Sequence, residues 1–197
     1  EGLVKPDAMP EIVRETPISA AMEGNDAMGQ LLGIAAMELA ISKAKTAGFG
    51  MVTVRNSNHY GIAGYYAKMA ANQGLIGISM TNSEAIMVPT FGRESMIGTN
   101  PIAFAMPARP VNFVFDAATT VVPRGKLEVY VKRGNPLPMG WALDETGRDS
   151  NEPDRILQNI IHKAGGGILP LGGSGETTSG YKGYGFGMLC AIAPAIL

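Results

Sequence analysis

The stretch "MVTVRNSNHYGIAGYYAKMAANQGLIGISMTNS", residues 51–83, carries the pattern that decides the fold class. A β-branched run at 51–56 predicts a short strand, 62–74 predicts a helix ending at a glycine, and 75–83 predicts a second strand. A longer helix is predicted at 25–48, so helix and strand alternate twice across tight glycine turns. This alternation predicts an α/β fold with a mixed sheet, at least partly parallel, and flanking helices.

The helix at 25–48 has recognisable ends. Either Asn25 or Asp26 is suited to cap its N-terminus, and Gly48 is suited to end it. Elsewhere the pattern predicts strands at 101–106 and 111–116, a loop at 144–154, a short helix at 155–165 and a long glycine-rich connection at 165–183.

The secondary structure of one segment, 118–134, is left undecided between strand and helix. Its β-branched residues favour a strand, whereas the spacing of Leu127 and Val131 suits a helix. Pro123 argues against one continuous element of either kind.

The chain is expected to divide into three parts. Residues 1–24 are Pro-rich and irregular and are predicted to form an arm or connector. Residues 25–143 form the α/β domain, and 144–197 hold the loop, the glycine-rich connection and the start of a returning helical segment. Because the sequence lacks an initiator Met and stops within an apolar run, we expect it to be a piece of a longer protein.

Composition excludes several classes of partner. Lys and Arg (16) nearly balance Asp and Glu (17), so no nucleic-acid-binding surface is predicted. One cysteine, Cys190, and two histidines are too few for a Cys/His zinc site, and no metal site is predicted. A lone cysteine also fits a reducing compartment, which predicts a cytoplasmic location. The longest apolar run, 183–197, is too short to span a bilayer.

The stretch "GETTSGYKG", residues 175–183, nearly matches a phosphate-binding loop. It misses because Tyr181 separates Gly180 from Lys182, and Gly183 stands where a metal-binding hydroxyl is needed. A Lys at a helix start opposes the helix dipole unless it shares an anion, which favours a phosphate there. The glycines of "GYGFG" that follow suit either such an approach or close helix packing.

His59 lies in a loop of small residues between a strand and a helix start. The carboxyl ends of strands in α/β proteins border ligand crevices, where a histidine exchanges protons near neutral pH. A loop histidine bonded to the backbone is the other interpretation. The Thr–Asn pairs in "TNSEA" (81–85) and "GTNP" (98–101) likewise either cap backbone groups or contact a ligand.

Three other residues are expected to be structural. His162 is predicted on a solvated helix face, Cys190 in the core, and Trp141 as a packing anchor.

A set of short fragments occurs in a fixed order along the chain: "VRNSNHYGIAG", "TNS", "PTFG", "GTNPIAFAMP", "FDAATT", "GK", "LPMGWALDETG", "GGILPLGG" and "GYKGYGFGM". This ordered set resembles the malate/L-lactate/ureidoglycolate dehydrogenase family, NAD(P)-dependent 2-hydroxyacid oxidoreductases with a non-Rossmann fold. The resemblance runs from about residue 24 to the end, and the glycine-rich connection is most similar to the malate dehydrogenase branch.

The resemblance implies site residues position by position. His59 corresponds to a catalytic acid/base, and Asp116 is implied to assist the chemistry. The residues implied to contact NAD or NADP are Ser83, Ala117, Ala118, Thr119, Lys182 and Gly183. It also makes 25–143 the NAD(P)-binding domain, and it implies a homodimer acting on a small 2-hydroxy or 2-oxo acid, first of all malate and oxaloacetate.

The sequence departs from the family in one respect that matters for mechanism. An N-terminal S-H-G motif and a nearby arginine are missing, so it stays open whether His59 donates the proton itself. Arg55 and Arg93 are the local candidates for the substrate carboxylate. Alternatives are lactate, sulfolactate or ureidoglycolate as substrate, a phosphate-loop nucleotide hydrolase, and a non-catalytic dinucleotide-binding protein.

Overall fold

A computed structural model describes residues 2–196 and confirms an α/β fold of small sheets and helices. The chain divides into two compact units. Unit 1 holds the residues up to Met80, Ile102–Asp116 and the end of the chain from Pro194, and unit 2 holds Thr81–Pro101 and Ala117–Ala193. The chain thus leaves unit 1 and returns to it, a division that differs from the linear boundaries predicted after residues 24 and 143.

The first sheet of unit 1 is built around a strand–helix–strand unit. Its elements are β1 (Glu11–Glu15), β2 (Ser19–Glu23), α1 (Gly29–Ala47) and β3 (Met51–Arg55). β1 pairs antiparallel with β2, and β2 pairs parallel with β3 across the α1 connection. The predicted parallel character is confirmed in this sheet.

Two strands lie within residues 1–24, so the prediction of an irregular arm is wrong there. The sequences "EIVRE" and "SAAME" are rich in charge and alanine and have weak strand propensity. β2 is nevertheless a strand because it is hydrogen-bonded on both sides and buries Ala20 and Met22.

The start of α1 also differs from the prediction that Asn25 or Asp26 caps it. Both residues have left-handed backbone, with φ of 54° and 61°, and α1 begins only at Gly29. The end of α1 is as predicted: Gly48 has a φ of 81°, and its N–H bonds to the Ala44 carbonyl.

The second sheet of unit 1 has one helix packed on it. Its elements are α2 (Ala63–Ala71), β4 (Gly77–Met80), β5 (Ile102–Met106) and β6 (Phe113–Ala117). The strand order is β4-β5-β6, with β4 and β5 antiparallel. Small residues allow the helix to lie close to the strands, since a Cβ at Gly77 would stand 2.2 Å from the Ala67 carbonyl oxygen.

Unit 2 is mainly helical around one two-stranded sheet. Its elements are α3 (Arg124–Arg133), β7 (Ala142–Leu143), α4 (Pro153–His162), β8 (Gly167–Ile168) and the part of α5 (Gly180–Ile196) that precedes Pro194. Its main core contains Ile86, Val122, Leu127, Leu137, Ala142, Ile156, Leu157, Ile160 and Ile168.

The segment left open at 118–134 contains a helix, α3. Pro123 is its N-cap, a position where the missing N–H of proline costs nothing. Leu127 is fully buried and Val131 packs against the same core, as the helical spacing indicated.

The three residues expected to be structural lie where predicted. Trp141 packs edge-on against Tyr130 with ring centroids 5.3 Å apart, and His162 is exposed. Cys190 is fully buried, and burial raises the pKa of its thiol.

Candidate active site

His59 lies in the loop between β3 and α2, residues 56–62, here termed the His59 loop, and its side chain is exposed. The Gly61 N–H donates to His59 Nδ1 at 3.2 Å. A nitrogen that accepts a hydrogen bond carries no proton, so the neutral ring holds its proton on Nε2. His59 is thus an accessible imidazole whose orientation is fixed by its own loop.

Asn58 and Gly29 hold the His59 loop against the start of α1. The Asn58 side-chain amide donates to the carbonyl oxygens of Asp26 and Ala27, at 2.8 Å and 3.1 Å. A Cβ at Gly29 would lie 2.1 Å from the Asn58 carbonyl oxygen, so only glycine fits this position. The left-handed residues 25–26 lie at this contact, since one of the two carbonyls belongs to Asp26.

Two tyrosines support the far end of the loop. The Tyr66 hydroxyl donates to the Tyr60 carbonyl, and the two rings stack with centroids 4.9 Å apart. Burial raises the pKa of Tyr66, which keeps its hydroxyl protonated as a donor. The Tyr60 hydroxyl lies 3.3 Å from Ser79 Oγ on β4.

Asp116 caps α2 from a separate strand. Its Oδ2 accepts the Gly64 N–H at 2.7 Å, at the second residue of the helix. A carboxylate at a helix N-terminus satisfies a free N–H and complements the helix dipole. Asp116 and His59 therefore both bond to backbone amides of residues 61–64 in unit 1.

Ser83 of unit 2 is exposed and follows β4 in the chain. Its Oγ accepts the Thr99 N–H at 3.0 Å and lies 3.2 Å from the Thr99 hydroxyl. A Cβ at Gly98 would lie 2.2 Å from the same Oγ, so the glycine is required for this contact.

The predicted cofactor segment 117–119 also meets Thr99. Thr119 is buried, and its N–H and hydroxyl both donate to the Thr99 carbonyl, at 2.8 Å and 2.9 Å. Ala117 and Ala118 are half-buried.

Lys182 and Gly183 lie in the first turn of α5 and differ in exposure. The Lys182 side chain is exposed, with Nζ 5.8 Å from the Tyr181 ring centroid. Gly183 is buried, and a Cβ there would stand 2.2 Å from the Leu171 carbonyl oxygen. Close packing therefore accounts for this glycine, whereas Gly185 has open space around its Cβ position.

Asn100 lies in the "GTNP" stretch, and the family resemblance implies no role for it. It is fully buried; its Oδ1 accepts the Ser83 N–H at 3.0 Å and its Nδ2 donates to the Gly187 carbonyl at 2.9 Å. The capping interpretation of "GTNP" is thereby confirmed. The signal was the Asn itself, a residue type that tolerates the left-handed φ of 38° found here.

The two arginine candidates differ in their surroundings. Arg55 Nε donates to the Glu23 carboxylate at 2.7 Å. The backbone N–H of Asn25, the Asn56 amide and Arg55 together lower the pKa of Glu23. Arg93 is exposed and makes no ion pair with any residue of the described range 2–196.

The described part of the chain lacks two kinds of feature. Within it, no group of three or more His, Cys, Asp or Glu side chains is arranged to hold a metal ion. Nor does any helix there have the length and apolar character needed to cross a membrane.

Comparison with known proteins gives a consistent result. A family model described as malate/L-lactate dehydrogenase matches residues 1–197. The chain is 51% identical over 187 residues to malate dehydrogenase of Pyrococcus abyssi, covering 95% of this chain and 50% of the relative. It is 40% identical over 195 residues to L-sulfolactate dehydrogenase of Methanocaldococcus jannaschii, covering 99% of this chain and 53% of the relative.

Comparison with solved structures points to the same family as the sequence matches. The crystal structure of malate dehydrogenase from Entamoeba histolytica matches with a TM-score of 0.93 at 40% identity, over 97% of this chain and 53% of that one. The chain spans about half the length of the curated relatives it matches. From the match along its whole length, the chain belongs to the malate/L-lactate dehydrogenase family.

Proposed function

We propose that the protein containing this chain is an NAD(P)-dependent oxidoreductase that interconverts a small 2-hydroxy acid and its 2-oxo acid, with malate and oxaloacetate as the preferred pair. The observation that carries the proposal is the His59 loop, an exposed imidazole on a supported loop in a chain of a dehydrogenase family. Higher identity to a malate than to a sulfolactate dehydrogenase, 51% against 40%, supports malate as the substrate.

The residues in unit 2 suit a dinucleotide cofactor. Ser83 offers an exposed hydroxyl and Lys182 an exposed ammonium, groups that pair with amide and phosphate oxygens. Ala117, Ala118 and Thr119 would line the cofactor, and Gly183 would act indirectly, by letting α5 pack closely against Leu171. When bound, a nicotinamide dinucleotide supplies or accepts the hydride at carbon 2 of the acid.

His59 would move the proton. In the reduction direction the imidazolium gives a proton to the oxygen of the forming hydroxyl, a contribution of about 10²–10⁴ in rate.

Two charged residues would complete the chemistry. Asp116 fixes the first turn of α2 directly after the His59 loop. We therefore propose that it assists the reaction by positioning this loop. A substrate carboxylate needs a cation, and Arg55 and Arg93 both stay candidates for it. Arg55 is paired with Glu23, and Arg93 makes no ion pair within residues 2–196.

The test follows absorbance of NADH and NADPH with the intact natural polypeptide and oxaloacetate, pyruvate, sulfopyruvate or oxalurate. We expect the highest kcat/KM with oxaloacetate. A higher kcat/KM with another acid would assign that acid as the substrate instead of oxaloacetate. The preference between NADH and NADPH would show which of the two is the cofactor. Binding of NADH without oxidation by any acid would indicate a non-catalytic relative. Magnesium-dependent ATP or GTP hydrolysis without NADH binding would support a phosphate-loop enzyme.

A homodimer in the cytoplasm is part of the same proposal. The family resemblance supports the dimer, and the single cysteine, Cys190, supports a reducing compartment. Light scattering on the purified polypeptide is expected to give twice the monomer mass.

A further inference from the structure

Asn100 is a fully buried polar side chain whose amide has partners at both ends. A buried amide is stable only when its oxygen and its nitrogen are hydrogen-bonded. Here the oxygen accepts from the Ser83 N–H and the nitrogen donates to the Gly187 carbonyl, residues 17 and 87 positions away in the chain. One side chain thus joins the turn after β4 to the middle of α5.

The neighbouring residue extends this link to a third segment. Thr99 donates its N–H to Ser83 Oγ, and its carbonyl accepts both the N–H and the hydroxyl of Thr119. The pair 99–100 therefore contacts each of the three chain segments for which a cofactor contact is proposed. These segments are the turn of Ser83, the stretch 117–119 and helix α5.

We propose that Asn100 is a positioning residue for the dinucleotide cofactor, an inference that rests on the proposed function. Asn100 acts through Ser83 and α5 rather than by touching the cofactor. Its amide fixes where the Ser83 turn lies relative to α5, the helix that carries Lys182.

The chemistry of the site requires an amide rather than a carboxylate. Aspartate at position 100 would still accept the Ser83 N–H but would offer no donor to the Gly187 carbonyl. Two oxygens would then face each other in a buried site, which is unfavourable. The near-isosteric change Asn100→Asp therefore breaks the link to α5 and leaves the link to Ser83.

The experiment uses the intact natural polypeptide and measures the Kd of NADH and NADPH by nucleotide fluorescence, together with kcat at saturating cofactor. For Asn100→Asp we expect a rise in Kd of at least about tenfold, with kcat changed by less than about threefold. Circular dichroism verifies that the variant is folded. A merely structural residue would lower the unfolding temperature without separating Kd from kcat.

Asn25→Asp is the matched control. Asn25 also has a left-handed backbone, with φ of 54°, and its amide donates to the Met9 carbonyl at 3.0 Å in unit 1. We expect this change to leave the cofactor Kd unaltered.

Asn100→Gly is the second variant, because glycine adopts the left-handed backbone without strain and removes the amide. Its Kd is expected to rise at least as much as that of Asn100→Asp. Unchanged Kd in a folded variant overturns the inference, and so does failure of both variants to fold, since Asn100 then serves the fold as a whole. If the unmodified protein binds neither NADH nor NADPH, the proposed function itself fails.

Discussion

The His59 loop and the Ser83–Asn100 region, residues 81–101, differ in whether their functional polar side chains are exposed or bonded to neighbouring segments. In the first, the exposed His59 ring accepts a bond from Gly61 of its own loop, and the bonds that hold the loop to other segments come from Asn58 and Tyr66. In the second, the side chains of Thr99 and Asn100 are themselves bonded to neighbouring segments.

The difference follows from what each region would have to do. A group that transfers a proton needs a nitrogen that a substrate can reach, so its support must come from other residues. A region that orients a bound molecule needs fixed geometry, which buried and fully paired polar groups provide. The comparison predicts that damage to the first region lowers turnover, whereas damage to the second weakens cofactor binding.

The largest effect is expected for His59→Ala. Loss of the proton donor should lower kcat at least about 100-fold, with the Kd of NADH or NADPH little changed. Steady-state turnover and fluorescence titration of the intact polypeptide measure the two quantities. His162→Ala, at an exposed histidine of α4, is the control and should leave both kcat and the cofactor Kd unchanged. Near-normal turnover of His59→Ala would show that the proton donor is a residue in another part of the polypeptide.

Two glycine substitutions separate the regions directly. The Cβ of Gly29→Ala would meet the Asn58 carbonyl oxygen at 2.1 Å, and that of Gly98→Ala would meet Ser83 Oγ at 2.2 Å. Each clash should destabilise the fold by ~1–3 kcal/mol. Thermal unfolding measures that cost; kinetics and titration should show lower kcat for Gly29→Ala and higher cofactor Kd for Gly98→Ala.

Gly125→Ala is the control for both, because a Cβ at this helical position has no neighbour within 4 Å. It should stabilise the protein by ~0.4–1 kcal/mol. The same kinetic defect in Gly29→Ala and Gly98→Ala would contradict the separation of roles.

A smaller effect is expected for Lys182→Ala. An exposed ammonium contributes little to an ion pair in water, so the Kd of NADH or NADPH should rise about fivefold, ~1 kcal/mol. Lys126→Ala, at an exposed lysine of α3, is the control. An unchanged Kd would leave the "GYKGYG" segment with a packing role only.

The smallest effect concerns acid stability, outside both regions. Arg155, followed by Asn159, holds the pKa of the Glu145 carboxyl at about 2, below its ordinary 4.5. A carboxyl with a lowered pKa in the folded state stabilises the fold above pH 4.5, and this contribution is lost as pH falls toward 2. The difference in unfolding temperature between the unmodified protein and Glu145→Gln should therefore shrink over this range. A pH-independent difference would contradict the assignment, and Glu176→Gln, at an exposed carboxylate, is the control.

Local sequence signals predicted much of the fold. Apolar periodicity placed α1 and α2, Gly48 marked the end of α1, and β-branched runs located the strands from 51 to 117. Each of these signals depends on interactions within a few residues, which a single sequence displays directly. The position of His59 in an exposed loop after a strand was predictable for the same reason.

Other features were decided by tertiary structure alone. β1 and β2 are strands because of pairing rather than propensity, and Asp116 caps α2 by accepting the N–H of Gly64, 52 residues earlier in the chain. Asn100 bonds to residues 17 and 87 positions away. The sequence by itself determined which residues are polar or small. Which partners they meet depends on contacts between distant segments, and no local pattern encodes those contacts.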